Sequence, residues 1–399
     1  MNSSLRDNAR FRPESFVVAS FFRCGHDNFA RALEKNGLLG FYALGTRRGT
    51  DGVSPAHTRL NPVFGLLNHA AAKYLPTFQA ESFRFRLYPL FDRWVRSLLQ
   101  PGQHLITSFA FANSSIRWAK AHRGLTFIDA QNSHPQYFWK LLTEEQRIWN
   151  SPYPPVAKHF NQRGLESIQQ CDYVFACSPF VRDSFLEQGC ESRRVLLYDQ
   201  PVNLEWFKPA QTERPANRPL TLLNTGALCL RKGTPYLLEA FRLIRKKEPN
   251  AILRLSQLIR DDAKAILRRY ENLPIDWAPP LNLRFEDQRR LYVQRFQTSD
   301  IFVFPTIEEG FAFVVKEALA CGLPVVTTKN SGASDLIRPG ENGELIPIRN
   351  PEAVAEAVLK WWSNIREGRR PKEVHQTRAS LSPETFEKTI MNHLSGLRI

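Results

Sequence analysis

Three glutamates lie within one short segment, IFVFPTIEEGFAFVVKEALACGLPVVTT, which spans residues 301–328. Glu308 and Glu309 directly follow an apolar run, and Glu317 comes eight positions after Glu309. Carboxylates beside apolar residues lose hydration energy unless a partner uses them. Carboxylate oxygens accept hydrogen bonds well from vicinal hydroxyls, so Glu309 and Glu317 are candidates for binding a sugar and a ribose.

The same segment has the pattern of a strand, a loop and a helix. IFVFPT predicts a buried strand, and Gly310 in the loop permits a close backbone approach. Unpaired N–H groups at the start of the helix would form a phosphate site. These groups belong to Phe311, Ala312, Phe313 and Val314. The competing interpretation is that Glu309 caps the helix and Glu317 is a solvated surface residue, since acidic residues are common at helix starts.

A second segment, NTGALCLRKGTPYLLEAF at residues 224–241, carries the adjacent cations Arg231 and Lys232. They lie between a strand end at Gly226 and the start of a helix. Lysine acts as a point charge and arginine as a two-pronged donor, so the pair can neutralise a diphosphate. The segment is not a Walker sequence, and the chain lacks the G-x-G-x-x-G dinucleotide pattern.

Short apolar strands alternate with amphipathic helices around these segments, which predicts the α/β class with parallel sheets. In the first half the strand patterns are SFVVASFF, HLITSFAF, LTFIDAQ and YVFACS, at residues 15–22, 104–111, 125–131 and 173–178. Prolines among polar residues mark a connector at residues 198–226, after which the alternation restarts. We therefore predict two Rossmann-like, doubly wound domains that face each other across a cleft.

The chain of 399 residues has a net charge of +15, of which residues 1–200 carry +8 and the remainder +7. A spread excess suits anionic small ligands or an acidic membrane surface, whereas nucleic-acid binders more often concentrate charge on one element. No apolar run reaches the roughly 20 residues of a membrane-spanning helix. The N-terminus lacks the apolar core of a secretory signal, and the six cysteines form no C-x-x-C pair. We expect a cytoplasmic protein with no metal site and no nucleic-acid partner.

The segment ESFRFRLYPLFDRWVRSLLQ, at residues 81–100, mixes aromatic residues with four arginines. An ordinary amphipathic helix with solvated arginines is the simpler interpretation. The alternative is a basic aromatic face at a lipid interface, which would associate the protein peripherally with the acidic inner face of a membrane.

Together, TGALCLRKG and PTIEEGFAFVVKEALACGLPVV resemble the donor-binding half of retaining, family-4 type (group 1) glycosyltransferases with the GT-B fold. The family signature is Glu, seven residues and Glu, with Gly-Phe after the first, and Glu309 and Glu317 match it. NSGASDLIRPGENGELIP, at residues 330–347, resembles a further family loop, and the resemblance runs from about residue 125 to 360. It implies an acceptor-side domain, a nucleotide-sugar domain and a C-terminal helix that crosses back to the first domain, at residues 1–205, 206–380 and 381–399.

The resemblance also implies roles for single residues. Glu309 would contact the donor sugar, Lys232 the diphosphate and Glu317 the ribose of a UDP- or GDP-linked sugar. Backbone N–H groups from Phe311 to Val314 would line the sugar diphosphate. The family arginine that follows Gly226 is Ala227 here, so Arg231 is the candidate to compensate for it.

Two positions in the first half also match the family pattern. His134, in FIDAQNSHPQ, takes the place of a histidine near the reacting sugar, and a buried structural histidine is an equally good interpretation. Gly25 occupies the loop in which the family approaches the phosphates. His26 is interpreted as an ordinary loop residue.

These assignments predict a hexosyltransferase (EC 2.4) of polysaccharide biosynthesis that retains the anomeric configuration and needs neither a cofactor nor a metal. The sequence has no D-x-D motif, and Arg231, Lys232 and the helix N-terminus can stabilise the leaving group. The acceptor would be a hydroxyl of a glycan, a lipid-linked precursor or a small molecule. Glu309 is then a positioning residue and Glu308 a solvated neighbour. The alternatives are a phosphorylase or epimerase of the same fold, an anion- or nucleic-acid-binding protein, and a non-catalytic partner subunit.

Overall fold

The computed structural model describes residues 11–22, 25–46, 52–153, 158–211, 215, 217–371 and 378–397. Within these residues the chain forms two α/β domains, each built on one parallel sheet.

The first sheet contains seven strands of the described chain: β1 (Phe16–Ser20), β2 (Leu39–Leu44), β3 (Thr58–Leu60), β4 (His104–Ser108), β5 (Thr126–Ala130), β6 (Tyr173–Ala176) and β7 (Val195–Leu197). Their order is β3-β2-β1-β4-β5-β6-β7, and all pairs are parallel. β1, β4 and β5 are buried along their whole length, which explains their continuous apolar runs. The strand order reverses between β1 and β4, so a ligand crevice is expected at their carboxyl ends.

Helices connect these strands: α1 (His26–Lys35), α2 (Pro62–Tyr74), α3 (Thr77–Leu98), α4 (Asn113–Ala121), α5 (Pro135–Ile148), α6 (Lys158–Gln170) and α7 (Pro179–Glu187). Helix α3 packs Tyr88, Phe91 and Val95 into the core and leaves Arg86 and Arg93 exposed. This is the amphipathic helix of the simpler interpretation. In the described part of the chain, no helix has the length and apolar character needed to cross a membrane.

The second sheet contains six described strands: β8 (Thr221–Leu228), β9 (Ile252–Ile259), β10 (Ile275–Ala278), β11 (Ile301–Phe304), β12 (Val325–Thr328) and β13 (Gly343–Ile346). Their order is β10-β9-β8-β11-β12-β13, again with parallel pairs. The helices of this domain are α8 (Thr234–Arg245), α9 (Asp261–Arg268), α10 (Glu286–Gln297), α11 (Phe313–Ala320) and α12 (Pro351–Arg366). Because β8 and β11 are neighbours, the loops that follow them meet at one edge of the sheet.

The last helix, α13 (Pro383–Gly396), leaves the second domain and packs on the first. Its buried side chains are Phe386, Ile390 and Leu394. The rings of Phe386 and Phe29 of α1 lie 5.2 Å apart, and Lys35 of α1 donates to Glu387 at 2.7 Å. The predicted fold, with two Rossmann-like domains and a C-terminal helix on the first, is confirmed.

The chain crosses between the domains twice, and the two crossings lie side by side. In the outgoing connector, the Val202 N–H donates to the carbonyl oxygen of Leu381 in the returning segment at 3.0 Å. Arg378 of the returning segment donates to the carbonyl oxygens of Leu204 and Ala320, at 2.7 and 2.9 Å. The connector and the returning segment are therefore hydrogen-bonded to each other, and together we call these two segments the hinge.

Candidate active site

The loops after β5 and β11 touch across the cleft at Gly310. A Cβ atom at Gly310 would overlap the carbonyl oxygen of Gln131 in the first domain. On the other side, a Cβ atom at Gly332 would overlap the carbonyl oxygen of Gly310. Glycine at position 310 therefore allows the two domains to approach, because any side chain there would separate their backbones.

Glu308 is fully buried between the domains, so the expectation of a solvated neighbour is wrong. Its Oε1 accepts hydrogen bonds from the N–H and the hydroxyl of Ser133, at 2.9 and 3.0 Å. Its Oε2 accepts from Arg231 at 3.0 Å, and Arg231 also donates to the Glu308 carbonyl oxygen. The burial is possible because charged and polar donors satisfy both carboxylate oxygens.

Glu309 forms an ion pair with Lys232, and Arg231 lies 3.4 Å from the same carboxylate. The side chains of Lys232 and Glu309 are only 14% and 12% exposed. Burial, together with the positive charge of Arg231, lowers the pKa of Lys232 well below its usual value. The structure thus brings together the sugar-binding and phosphate-binding candidates, although 77 positions separate Lys232 from Glu309 in the sequence.

Two glycines shape the turn that carries the cations. Gly226 has a φ of +114°, and nothing lies within 4 Å of where its Cβ atom would be. Gly233 has a φ of +69°, and a Cβ atom there would overlap the carbonyl oxygen of Pro305 after β11. Between them, residues Leu230–Lys232 form a short 3₁₀ helix. Gly233 thus anchors this turn beside Glu309, while Gly226 leaves room on its open face.

The start of α11 is the predicted phosphate-binding helix terminus. Its N-cap residue, Ala312, has a φ of +51° and makes no side-chain capping bond. A left-handed conformation costs a non-glycine residue about 1 kcal/mol, which is typical of functional loops. The first N–H groups of the helix have no intrahelical acceptors and are suited to a ligand. The neighbouring rings of Phe311 and Phe313 lie 5.0 Å apart and pack toward the first domain.

Glu317 lies in α11 and is partly buried, which argues against a fully solvated surface residue. It accepts a hydrogen bond from the Tyr292 hydroxyl at 3.0 Å, and that hydroxyl lies 3.2 Å from Thr225 Oγ1. Burial raises the pKa of Glu317 to about 7, against the opposite effect of the Tyr292 hydrogen bond. The Tyr292 hydroxyl therefore links the Glu317 carboxylate to Thr225 of β8.

His134 is the N-cap residue of α5, and its Nδ1 accepts from the Gln136 N–H at 3.3 Å. Its ring packs edge-on against Phe185 at 5.1 Å, and burial lowers its pKa to about 4. The preceding residues, Asn132 and Ser133, are the ones that contact Arg231 and Glu308. The geometry favours the structural interpretation of His134, and a contact with the sugar stays a prediction.

His26 and Gly25 take part in a buried network at the base of the hinge, so the interpretation of His26 as an ordinary loop residue is wrong. His26 begins α1, is fully buried and lies 3.3 Å from Asp129. Burial lowers the pKa of His26 to about 3 and raises that of Asp129 to about 7. Gly25 has a φ of +89°, and a Cβ atom there would lie 2.8 Å from Gln200 Nε2 in the connector. Gly25 therefore packs directly on the connector, and His26 is linked to it through Asp129, which accepts a hydrogen bond from the Tyr198 hydroxyl.

A cavity of about 240 Å³ lies between the domains next to this site. Helices α3 and α5 form one wall, and the turns after β8 and β9 form the other. Its polar and charged lining includes Glu81, Asn132, Arg231, Arg260, Asp261 and Asp262. Sequence reasoning missed Glu81 and Arg260, because neither belongs to a recognisable motif.

The described residues therefore combine cations, carboxylates and unpaired helix N–H groups at one edge of the second sheet. Cations and N–H groups bind a diphosphate, and carboxylates bind hydroxyls. The sequence-predicted residues that meet here are Arg231, Lys232, Glu309 and Gly310, with the first turn of α11 beside them. The site also includes Ser133, Asn132 and Tyr292, which the sequence analysis did not select. The available signals were that Asn132 and Ser133 follow a predicted strand and that Tyr292 lies in a helix of the second domain.

Solved structures with the same architecture were found. The chain is similar to the UDP-forming α,α-trehalose-phosphate synthase of Burkholderia xenovorans, with a TM-score of 0.64 and 14% identity over 96% of this chain and 99% of that one. It is also similar to Anabaena Alr3699/HepE in complex with UDP and glucose, with a TM-score of 0.62 and 13% identity over 96% and 100% of the two chains. The fold is thus that of the two-domain GT-B proteins.

Residues 219–364 match the family model of glycosyl transferases group 1. The matched residues run from just before β8 into α12, within the second domain. A further relative is the putative colanic acid biosynthesis glycosyltransferase WcaL of Escherichia coli (strain K12), which is 21% identical over 250 residues, or 61% of this chain. The aligned part spans 60% of the length of WcaL.

Proposed function

We propose that this protein is a retaining glycosyltransferase that moves a sugar from a UDP- or GDP-linked donor to a hydroxyl of a glycan or lipid-linked acceptor. The observation that carries the proposal is the Lys232–Glu309 ion pair beside the uncapped start of α11. Two similar proteins support the substrate class: WcaL, a putative colanic acid biosynthesis glycosyltransferase, and HepE, whose structure is in complex with UDP and glucose.

In this proposal the donor exchanges the ion pair for new partners. Lys232 turns from Glu309 to the diphosphate, and the first N–H groups of α11 donate to the same phosphates. Glu309 is then released to accept hydrogen bonds from the sugar hydroxyls. After the exchange Lys232 is paired with phosphate, and Glu309 is hydrogen-bonded to hydroxyls with Arg231 beside it, so neither buried charge is left without a partner.

The transfer step breaks the bond between the anomeric carbon and the diphosphate oxygen, and that oxygen keeps the electron pair. The acceptor oxygen forms its bond to the same face of the anomeric carbon, and its proton passes to the departing diphosphate. Lys232 and the α11 terminus stabilise the growing negative charge without a metal. In this proposal Glu309 positions the sugar and is not a covalent nucleophile.

The acceptor would bind on the first domain, which also carries an exposed apolar helix. In α2, Leu66 and Tyr74 are 69% and 73% exposed, and residues 58–76 contain no Asp or Glu. Lys73 of this helix is exposed as well. An apolar face with basic residues suits the acidic inner face of a membrane, so we propose a cytoplasmic protein that associates peripherally through α2. Sedimentation with phosphatidylglycerol vesicles, compared with phosphatidylcholine vesicles, tests this association.

The transfer activity is tested with Glu309→Ala. A thermal-shift screen of nucleotide sugars first identifies the donor, since a bound ligand stabilises the folded protein by mass action. We expect Glu309→Ala to lower turnover at least about 100-fold, as loss of a transition-state contact does, while circular dichroism shows that the variant is folded. A moderate fall in Tm is expected because Lys232 loses its ion-pair partner. The control is Glu286→Ala, which removes an exposed carboxylate of α10. Full turnover by Glu309→Ala would refute the proposal, and a new sugar nucleotide formed from donor alone would instead indicate an epimerase.

A further inference from the structure

The cavity between the domains contains an arginine that the proposed function does not use. Arg260 follows β9 directly, and its N–H donates to the carbonyl oxygen of Leu228 in β8 at 3.0 Å. Ala227 of β8 lines the same cavity. Arg260 therefore lies beside the cation turn, on the side where Ala227 presents only a methyl group.

Electrostatics place Arg260 in the same charge cluster as the other two cations. Its positive charge helps to lower the pKa of Lys232, after burial and the stronger effect of Arg231. Arg231 is engaged with the buried Glu308, which also holds Ser133 of the first domain. Arg231 is thus committed to the domain contact and is poorly placed to compensate for Ala227.

Glu81 of α3 holds Arg260 in an ion pair that joins the two domains. The other cavity-lining carboxylates have different partners. Asp262 accepts from the Leu230 N–H at 3.1 Å, and Asp261 accepts from the Phe78 N–H at 3.1 Å and from Lys264 at 2.7 Å. Among the described residues, Glu81 is therefore the carboxylate that competes with a ligand for Arg260.

We infer that Arg260 binds the diphosphate of the donor, and that Glu81 occupies Arg260 until the donor arrives. The inference rests on the proposed function and adds a residue to its phosphate site. The cavity of about 240 Å³ is smaller than the roughly 300–1,000 Å³ of sites for drug-sized ligands. Donor entry therefore separates α3 from the turn after β9, which breaks the Glu81–Arg260 pair and turns Arg260 toward the phosphates.

This arrangement predicts that substitutions of the two partners in the Glu81–Arg260 ion pair change nucleotide affinity in opposite directions. Arg260→Gln removes a charged hydrogen bond to phosphate, so UDP or GDP should bind about 10- to 100-fold more weakly. Glu81→Gln removes the competitor, so the same nucleotide should bind about 2- to 5-fold more tightly, the range of a partly exposed ion pair. If the Glu81–Arg260 ion pair only held the two domains together, the two substitutions would not change nucleotide affinity in opposite directions.

The experiment is isothermal titration calorimetry of UDP and GDP with the wild-type protein, Arg260→Gln, Glu81→Gln and Arg260→Lys. Arg268→Gln is the matched control, because Arg268 is an exposed arginine of α9 that does not line the cavity. Tm values and circular dichroism confirm that each variant is folded. Arg260→Lys keeps the charge and should bind more tightly than Arg260→Gln.

Each outcome bears on one of the two proposals. Weaker binding by Arg260→Gln with tighter binding by Glu81→Gln supports the inference. Equal binding by the wild type and Arg260→Gln, or weaker binding by both variants, overturns it and leaves the proposed function intact. A wild-type protein that binds neither UDP nor GDP would refute the proposed function itself.

Discussion

Ser133 donates two hydrogen bonds, from its backbone N–H and its hydroxyl, to a single oxygen of Glu308 in the opposite domain. The second oxygen of Glu308 is held by Arg231 of the cation turn. The closed cleft is therefore linked to the phosphate site through one buried carboxylate. A ligand that moves Arg231 also changes the contact between the domains.

Glu308→Ala should destabilise the protein, because it leaves Arg231 and Ser133 without their acceptor. Breaking a buried ion pair costs about 3–5 kcal/mol, and partial exposure of Arg231 reduces this to about 2 kcal/mol. We expect Tm, measured by calorimetry, to fall by several degrees. Ser133→Ala should act in the same direction with a smaller change. An unchanged Tm in Glu308→Ala would mean that the bridge contributes no stability.

Lys232→Met should raise the KM for the donor about 10- to 100-fold, because a charged hydrogen bond to the diphosphate is lost. Methionine keeps the apolar stem of lysine and removes only the charge. Steady-state kinetics with the identified donor measure the effect, and Lys247→Met, at an exposed lysine just after α8, is the control. A KM within twofold of the wild-type value would exclude Lys232 from the phosphate site.

The affinity for UDP should rise with pH around the pKa of Glu317, which is about 7. Below this pH the carboxyl group carries a proton and loses its capacity to accept from both ribose hydroxyls. Affinity is therefore expected to be lower at pH 6 than at pH 8. Glu317→Gln should bind weakly at both values and lack the rise that the wild-type carboxylate produces.

Tyr292→Phe provides an independent test of the same carboxylate. The Tyr292 hydroxyl donates to Glu317 and lowers the pKa of that group. Its removal should raise the pKa further and shift the pH profile of UDP binding upward. Calorimetric titrations between pH 5.5 and 8.5 measure the shift, and a profile that moves downward would contradict the assignment.

Gly310→Ala should separate the domains without unfolding either one. The new methyl group would overlap the carbonyl oxygen of Gln131 across the cleft, and the backbone of Gly310 is not in a left-handed conformation. We expect an increased radius of gyration in small-angle X-ray scattering and a loss of turnover. Gly396→Ala is the control, since nothing lies within 4 Å of that position. A radius equal to that of the wild type would show that the loops adjust locally.

Much of the fold is predictable because buried parallel strands leave continuous apolar runs. β1, β4, β5 and β6 are such strands, and the pattern located all four. The prediction did not include β2, β3 or β7 of the first sheet, and the edge strand β3 shows why a short strand is missed. That strand has three residues and no buried side chain, so it leaves no periodic signal.

The candidate site was predictable where two neighbouring strands bring their loops together. Lys232 and Glu309 follow β8 and β11, which pair in the sheet, so their approach could be inferred from the strand pattern. Contacts between the two domains could not be inferred in this way. Ser133 and Glu308 are 175 positions apart, and only the relative placement of two separate sheets makes them meet.

The partners of His26 were hidden for a related reason. Asp129 lies in β5, and β4 separates that strand from β1, which precedes His26. Such a pair forms across the end of a third strand, so strand adjacency gives no indication of it. The His26–Asp129 pair is buried because α1 packs against the connector, through Asn28 on Gln200 and Phe29 on Tyr198.

The position of α13 has a consequence for the order in which the protein is made. A ribosome synthesises the whole second domain before it reaches Phe386, Ile390 and Leu394, which complete the surface of the first. Until then the apolar side of α1 around Phe29 lacks its cover. The nascent first domain thus exposes an apolar surface while nearly two hundred further codons are translated. During this interval the domain is most prone to aggregate and most available to chaperones.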